Sequence, residues 1–196
     1  MAEHKNLTGT NLHEPKGVAE SSINKVYVSD GLGSGAWEKI MGWEQYVDNR
    51  ITDGTPAMAL TSGVRTQFLC NGSTSIVSRP PSDAINPLWN VSTNLHEPIA
   101  AFDTYHLRFA FTASSYSGTS PYIDIELDIG GSIGTILSHT HTLIRSGAEQ
   151  AGVINFSVYS GSTYLTNGGG VFFTYSGTGT CNIHSTSVKV ERISRN

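Results

Sequence analysis

Two short clusters carry the residue types that acid–base or metal chemistry requires. Asp124, Glu126 and Asp128 alternate with Ile123, Ile125, Leu127 and Ile129, so on a strand the three carboxylates share one face. Alternate residues on a strand lie about 6.5–7 Å apart, and inverting glycosidases hold their two carboxyl groups roughly 6.5–9.5 Å apart. The plainer reading is a solvated strand face, which gives the same spacing in any half-buried antiparallel sheet. No Asp-x-Asp-x-Asp-Gly loop accompanies the row, so calcium is not indicated. His139-Thr140-His141 sets two imidazoles on one side of a strand, and repeated around a threefold axis the pair would surround one metal ion. Its plainer reading is a polar strand face whose rings are hydrogen-bonded to their neighbours.

Other chemical signatures fail. Gly31-Leu32-Gly33-Ser34-Gly35 follows a strand-like stretch but opens no strand–helix–strand unit, so it is not a dinucleotide fingerprint. There is no Gly-x-Ser-x-Gly elbow and no Walker loop. The expectation is a protein without enzymatic activity or cofactor. Binding by aromatic side chains is open, and Tyr116, Tyr122, Tyr159 and Tyr164 are the candidates for glycan contact, from their placement beside turns or on polar faces.

The elements that would position these residues are strands. Gly, Ser and Thr fill 65 of 196 positions and charged residues only 14%, while regular apolar runs and eighteen aromatics supply surface to bury. That combination reads as a folded, turn-rich β protein. Residues 1–24 are polar and interrupted by Pro15 and Gly17, and they predict an extended arm. Val26-Tyr27-Val28 predicts a short strand. Trp37, Ile40, Met41, Glu44 and Val47 fall at helical spacing, so a short helix within 37–51 competes there, weakened by Gly42. From about residue 55 the period is two: strands are predicted at 64–70, 74–78, 105–111, 123–129, 133–137, 140–145, 153–159, 171–175 and 181–193. Eight or more short strands with turns every ten or so residues predict an all-β, jelly-roll-type antiparallel sandwich over 53–196, preceded by an extended N-terminal arm over 1–52 with a short hairpin.

The net charge of −4 and the absence of a Lys/Arg cluster argue against nucleic acid. No apolar run is long enough for a membrane span, and residues 1–25 hold no apolar core of a secretory signal. Cys70 and Cys181 are therefore expected as buried free thiols, a bridge between them being the alternative. One hexapeptide recurs: Thr10-Asn11-Leu12-His13-Glu14-Pro15 and Thr93-Asn94-Leu95-His96-Glu97-Pro98 are identical. The two copies read either as connectors entering strand regions or as equivalent contacts with neighbouring subunits.

Leu12-His13-Glu14-Pro15-Lys16-Gly17-Val18-Ala19, followed by Val26 to Trp37, resembles the N-terminal segments of tailed-bacteriophage virion proteins: head fibres, capsid decoration proteins and some tail fibres. The strand rhythm ending in Val188-Lys189-Val190-Glu191-Arg192-Ile193 is similar to trimeric jelly rolls of the tumour-necrosis-factor or C1q shape. The local text around His139 and His141 resembles phage fibre and spike tips that bind iron. These resemblances imply a homotrimer in the virion, assembled in the cytoplasm of a host bacterium. They imply that the arm docks on the major capsid protein or another virion protein while the sandwich projects outward. Attachment would fall to Leu12, His13, Glu14, Pro15, Tyr27, Trp37, Trp43 and Tyr46, the last three being the largest apolar side chains near the arm. The expected function is a capsid decoration protein or short head fibre. The alternatives are a tail fibre or receptor-binding protein touching host glycans, a virion enzyme cleaving polysaccharide through the Asp124 row, and a cytokine-like ligand. The chain holds no shaft repeat or heptad region of the kind a reaching tail fibre needs.

Overall fold

The computed structural model describes residues 25–32, 35–48, 55–144 and 148–195. The chain divides into two units, Met1–Ile40 and Met41–Asn196. In the first, β1 (Val26–Ser29) and β2 (Gly35–Glu38) form the expected antiparallel hairpin, with Tyr27 directly opposite Trp37. Their rings meet edge to face at 5.5 Å, a cross-strand pair that holds a ribbon too short to stand on its own hydrogen bonds. Residues 1–24, with Leu12, His13, Glu14, Pro15 and the first copy of the hexapeptide, lie outside the described residues.

The second unit is a two-sheet antiparallel sandwich. One sheet runs β12 (Gln150–Tyr159), β9 (Thr104–Ser114), β14 (Thr180–Ser194), β3 (Gly42–Val47), β6 (Ser75–Arg79), with β4 (Met58–Thr61) also on β14. The other runs β11 (Thr135–Thr142), β10 (Ser117–Asp128), β13 (Gly169–Thr178), β8 (Leu95–His96), β7 (Trp89–Asn90), with β5 (Arg65–Gln67) also on β13. The inner faces are the apolar half of each period-two strand: Tyr105, Leu107, Phe109 and Phe111 face Ile123, Ile125, Leu127 and Phe173, all buried. Phe68 bridges the sheets, with ring centres 5.5 Å from Phe109 and 5.2 Å from Phe173. Such pairs add about 0.5–1.5 kcal/mol each beyond the area they bury. Gly152 on β12 is required by the same core, since a Cβ there would overlap the Phe111 ring.

The helix that competes within 37–51 does not form in the described part of that stretch. Glu44, Tyr46 and Asp48 point inward while Trp43, Gln45 and Val47 stay half-exposed, the signature of a strand, and β3 pairs with β14 on one side and β6 on the other. Gly42 suits this strand: its backbone lies against Pro80 and Pro81, where a side chain would collide. The sandwich therefore begins near Met41, not at residue 53. The one helix among the described residues, α1 (Ser162–Asn167), connects β12 to β13, and Gly168, at φ +73°, ends it. Among the described residues no helix is long and apolar enough to cross a membrane. Cys70 and Cys181 are both buried free thiols, and burial raises the Cys70 thiol above its usual range.

At one end of β14 the guanidinium of Arg192 is fully buried. It donates to Asp103 Oδ2 (2.9 Å) and to both carboxylate oxygens of Asp83 (2.9 and 2.7 Å). Tyr105 donates to Asp103 (3.2 Å) and accepts the Ile99 backbone N–H (2.8 Å). Removing one member of a buried pair costs about 3–5 kcal/mol because the other charge is left unpaired. Asp103→Ala should lower stability by that amount in urea titration, and a loss below about 1 kcal/mol would contradict this reading. Burial pushes the Asp83 carboxyl up, but hydrogen bonding and charge from Arg192 outweigh it and hold the group below its ordinary range. Its contribution to stability is therefore present above about pH 4 and fades as the pH falls through the depressed folded value.

Candidate functional site

The carboxylate row lies on the outer face of β10, half-buried, as the alternation requires. Arg65, from β5, reaches across β13 to it. The guanidinium lies 3.6 Å over the Phe172 ring, donates through Nε to Glu126 Oε2 at 2.9 Å and through Nη2 to Asp128 Oδ2 at 2.6 Å. Asp128 also accepts the Gly130 N–H (2.6 Å), and Asp124 accepts the Thr140 hydroxyl (2.6 Å). A glycosidase pair needs an open gap between its carboxyls for water and a sugar. Here a guanidinium fills the gap between Glu126 and Asp128, so the row is a laced outer surface. Arg65 was not visible as its partner in the sequence, because 61 residues and an intervening strand separate it from Glu126.

His139 and His141 sit opposite Ile125 and Ile123 on β11, the edge strand of its sheet, and so share the inward-facing side. His141 is half-buried, its ring 5.4 Å from Phe111, with Nε2 3.3 Å from the Gln150 amide nitrogen. Burial, and secondarily the charge of His139, lower its pKa. His139 is exposed. Among the described residues no three His, Cys, Asp or Glu side chains come together as a metal site. The pair caps one open flank of the core.

The tyrosine set divides. Tyr116 is 1% exposed and Tyr164 fully buried, so neither can touch a glycan in the folded chain. Both were expected on the surface because they neighbour Ser and Gly. Each instead places its ring in the core and finds a polar partner for its hydroxyl: Gln150 at 3.5 Å for Tyr116, His96 Nδ1 at 2.7 Å for Tyr164. Tyr122 is half-buried on the outer face of β10, and Tyr159 is 67% exposed at the end of β12. Of the attachment residues, Tyr46 is a core residue at 2% exposure. Its hydroxyl donates to Glu44 (2.7 Å), a buried carboxylate that also accepts the Ser78 hydroxyl and the Leu88 backbone N–H. Trp43 stays on the outer face of β3 under Lys189, whose Nζ lies 5.2 Å from the ring centre. Tyr27 and Trp37 form the hairpin pair.

The second copy of the hexapeptide is a connector built into the sandwich. Asn94, at φ +55°, accepts the Cys70 N–H through its side chain. Leu95 and His96 form β8, Glu97 accepts the Asn90 amide (2.7 Å), and Pro98 is buried. His96 is enclosed between Tyr105 and Tyr164, and its Nε2 has no hydrogen-bond partner among the described residues. Burial drives its pKa down to about 3.

No family model and no curated protein matches the chain. Solved structures similar to it include the PRD1 vertex protein P5, at 13% identity over 86% of this chain and 82% of that chain, TM-score 0.44. Eiger TNF from S. frugiperda is similar at 8% identity over 80% of this chain and 94% of that one, TM-score 0.45. A chain of the T13 IBDV viral particle aligns at 9% identity over 84% of this chain, TM-score 0.35, and this chain spans only 35% of its length.

His96 generates a test of the core. Its folded pKa lies far below the unfolded value of about 6.5, so the unfolded chain binds the extra proton first as the pH falls. The stability tied to neutral His96 is complete above about pH 6.5 and declines toward acid, with a limiting slope of about 1.4 kcal/mol per pH unit. Urea midpoints measured between pH 7 and 4.5 should fall, and His96→Phe should flatten the fall, leaving the smaller share from His141. An unchanged slope in the variant would remove His96 as its source.

Proposed function

We propose that this chain is a structural protein of a bacteriophage particle, a capsid decoration protein or short head fibre. In this reading the N-terminal segment attaches to the shell and the sandwich stands outward as a homotrimer that binds and does not catalyse. The N-terminal likeness to tailed-phage virion proteins supports the address, and the filled gap in the carboxylate row favours binding over cleavage.

The observation that carries the reading is the flank formed by the edge strands β11 and β12. Neither Thr135–Thr142 nor Gln150–Tyr159 contains a Lys, Arg, Asp, Glu or Pro. Proteins protect exposed sheet edges with such residues because unpaired backbone groups template association. Two other edges are blunted: β6 ends in Arg79 followed by Pro80-Pro81, and β7 is only two residues long. Along the unprotected flank Ile133, Ile144, Val153 and Tyr159 are exposed, beside an apolar cleft of about 400 Å³ between Ile136, Val158 and Tyr164. Identical copies arranged in a closed ring would cover this surface, and a lone copy would leave it as an aggregation hazard. Three copies follow from the resemblance of the last strands to trimeric jelly rolls.

Two measurements test this. Peptide mass spectrometry of density-gradient-purified particles should find the chain at structural stoichiometry, and its recovery from lysate but never from particles would contradict the proposal. Val153→Lys combined with Tyr159→Lys should weaken self-association at least tenfold. Exposed positions should leave the urea midpoint within about 0.5 kcal/mol of the parent. Unaltered association would move the interface elsewhere.

A further inference from the structure

Two clefts that share no residue with the flank meet at a common wall made by Asn86 and Glu97. One, of about 350 Å³, is bounded by Asp83, Ile85, Thr166 and Asn167. The other, of about 530 Å³, is bounded by Ile76, Ser78, Asn90 and Val91. Each is of a size that takes small ligands, and Asn86 and Glu97 line both.

The polar groups of the groove are of one kind. Asn86 is exposed and makes no hydrogen bond among the described residues, so its amide is available to a ligand. Glu97 accepts the Asn90 amide through Oε1, and among the described residues its Oε2 has no hydrogen-bond donor. Asn167 donates to the Ile129 carbonyl and keeps its own carbonyl oxygen. No Lys or Arg lines either cleft. Arg192 and Arg195, which approach the first cleft through Asp83, are held by that carboxylate. An anionic ligand would meet Glu97 and Glu44 with nothing to neutralise it. A ligand rich in hydroxyl groups would satisfy amide and carboxylate oxygens alike, and its C–H faces would lie on Ile76, Val91 and Ile85, the last 96% exposed.

We propose that these two adjoining clefts bind a short neutral saccharide, with Glu97 and Asn86, which line both, hydrogen-bonding its hydroxyls. This goes beyond the structural role and holds at any station on a particle. It moves sugar recognition from the tyrosines to a groove, and it gives the second hexapeptide a task besides packing.

The test uses the ¹⁵N-labelled full chain and three neutral probes: maltotriose, chitotriose, and neutral oligosaccharides released from a bacterial cell-surface polysaccharide. Sialyllactose and trigalacturonate are the anionic probes. At least one neutral probe should shift the side-chain amide signals of Asn86 and Asn90 and the backbone signal of Glu97, saturating in roughly the millimolar range. A response to the surface oligosaccharides alone identifies a cell-surface source, and one to either trisaccharide identifies a free glycan. Asn86→Ala and Glu97→Gln should each weaken binding about tenfold, with an unchanged dichroism spectrum. Asn86 is exposed and unbonded, so its variant folds as the parent does. No shift with any neutral probe, shifts confined to other residues, equal binding of an anionic probe, or an Asn86→Ala chain that binds as before would overturn the proposal.

Discussion

Arg192 keeps a full positive charge where water cannot reach it, and the way the chain neutralises that charge fixes the register of the central strand. β14 carries β9 along one side and both β3 and β4 along the other, so its position sets that of every strand in its sheet. A slip of one residue would take the guanidinium from Asp103 and turn Val188 and Val190 from the core to the solvent side. The penalty is therefore electrostatic and hydrophobic together. Asp83 lies in a loop 109 residues away in sequence, so the same contact anchors the connection that leads into β7 and β8. A buried ion pair is weak evidence for net stability but a strong device for choosing one arrangement over its neighbours, and that is the role assigned to it here.

With the register fixed, the two sheets differ in how they meet their surroundings. The outer face of β10 is laced by Arg65 and hydroxyl groups, which suits permanent contact with water. Strands β11 and β12 themselves carry no formal charge outside histidine, and apolar side chains are exposed along them. The clefts at Asn86 and Glu97 share no lining residue with the flank cleft, so the proposed assembly along the flank would leave them accessible.

Much of this was legible in the residues. Ile123 to Ile129, Tyr105 to Phe111 and Cys181 to Ile193 alternate so regularly that their strands, inward faces and antiparallel class follow from periodicity. The turn at Gly130-Gly131, both with positive φ, is equally plain. What stayed hidden depends on partners distant in the chain. β3 reads partly as helix because Trp37, Ile40, Met41, Glu44 and Val47 happen to match a helical period. It is a strand because Glu44 collects donors from Tyr46, Ser78 and Leu88. Tyr116 and Tyr164 look like surface aromatics until Gln150 and His96 arrive to bond their hydroxyls. β7, β8 and α1 are too short to show a period, and the groove they help to wall shows no local pattern.

The central claim is that the uncharged flank is an interface between copies of this chain. Sedimentation velocity on the full chain, run over a range of micromolar concentrations, tests it most directly. The account predicts one species of three times the 21.0 kDa chain mass. A single species at 21.0 kDa, unchanged at the highest concentration, would contradict it.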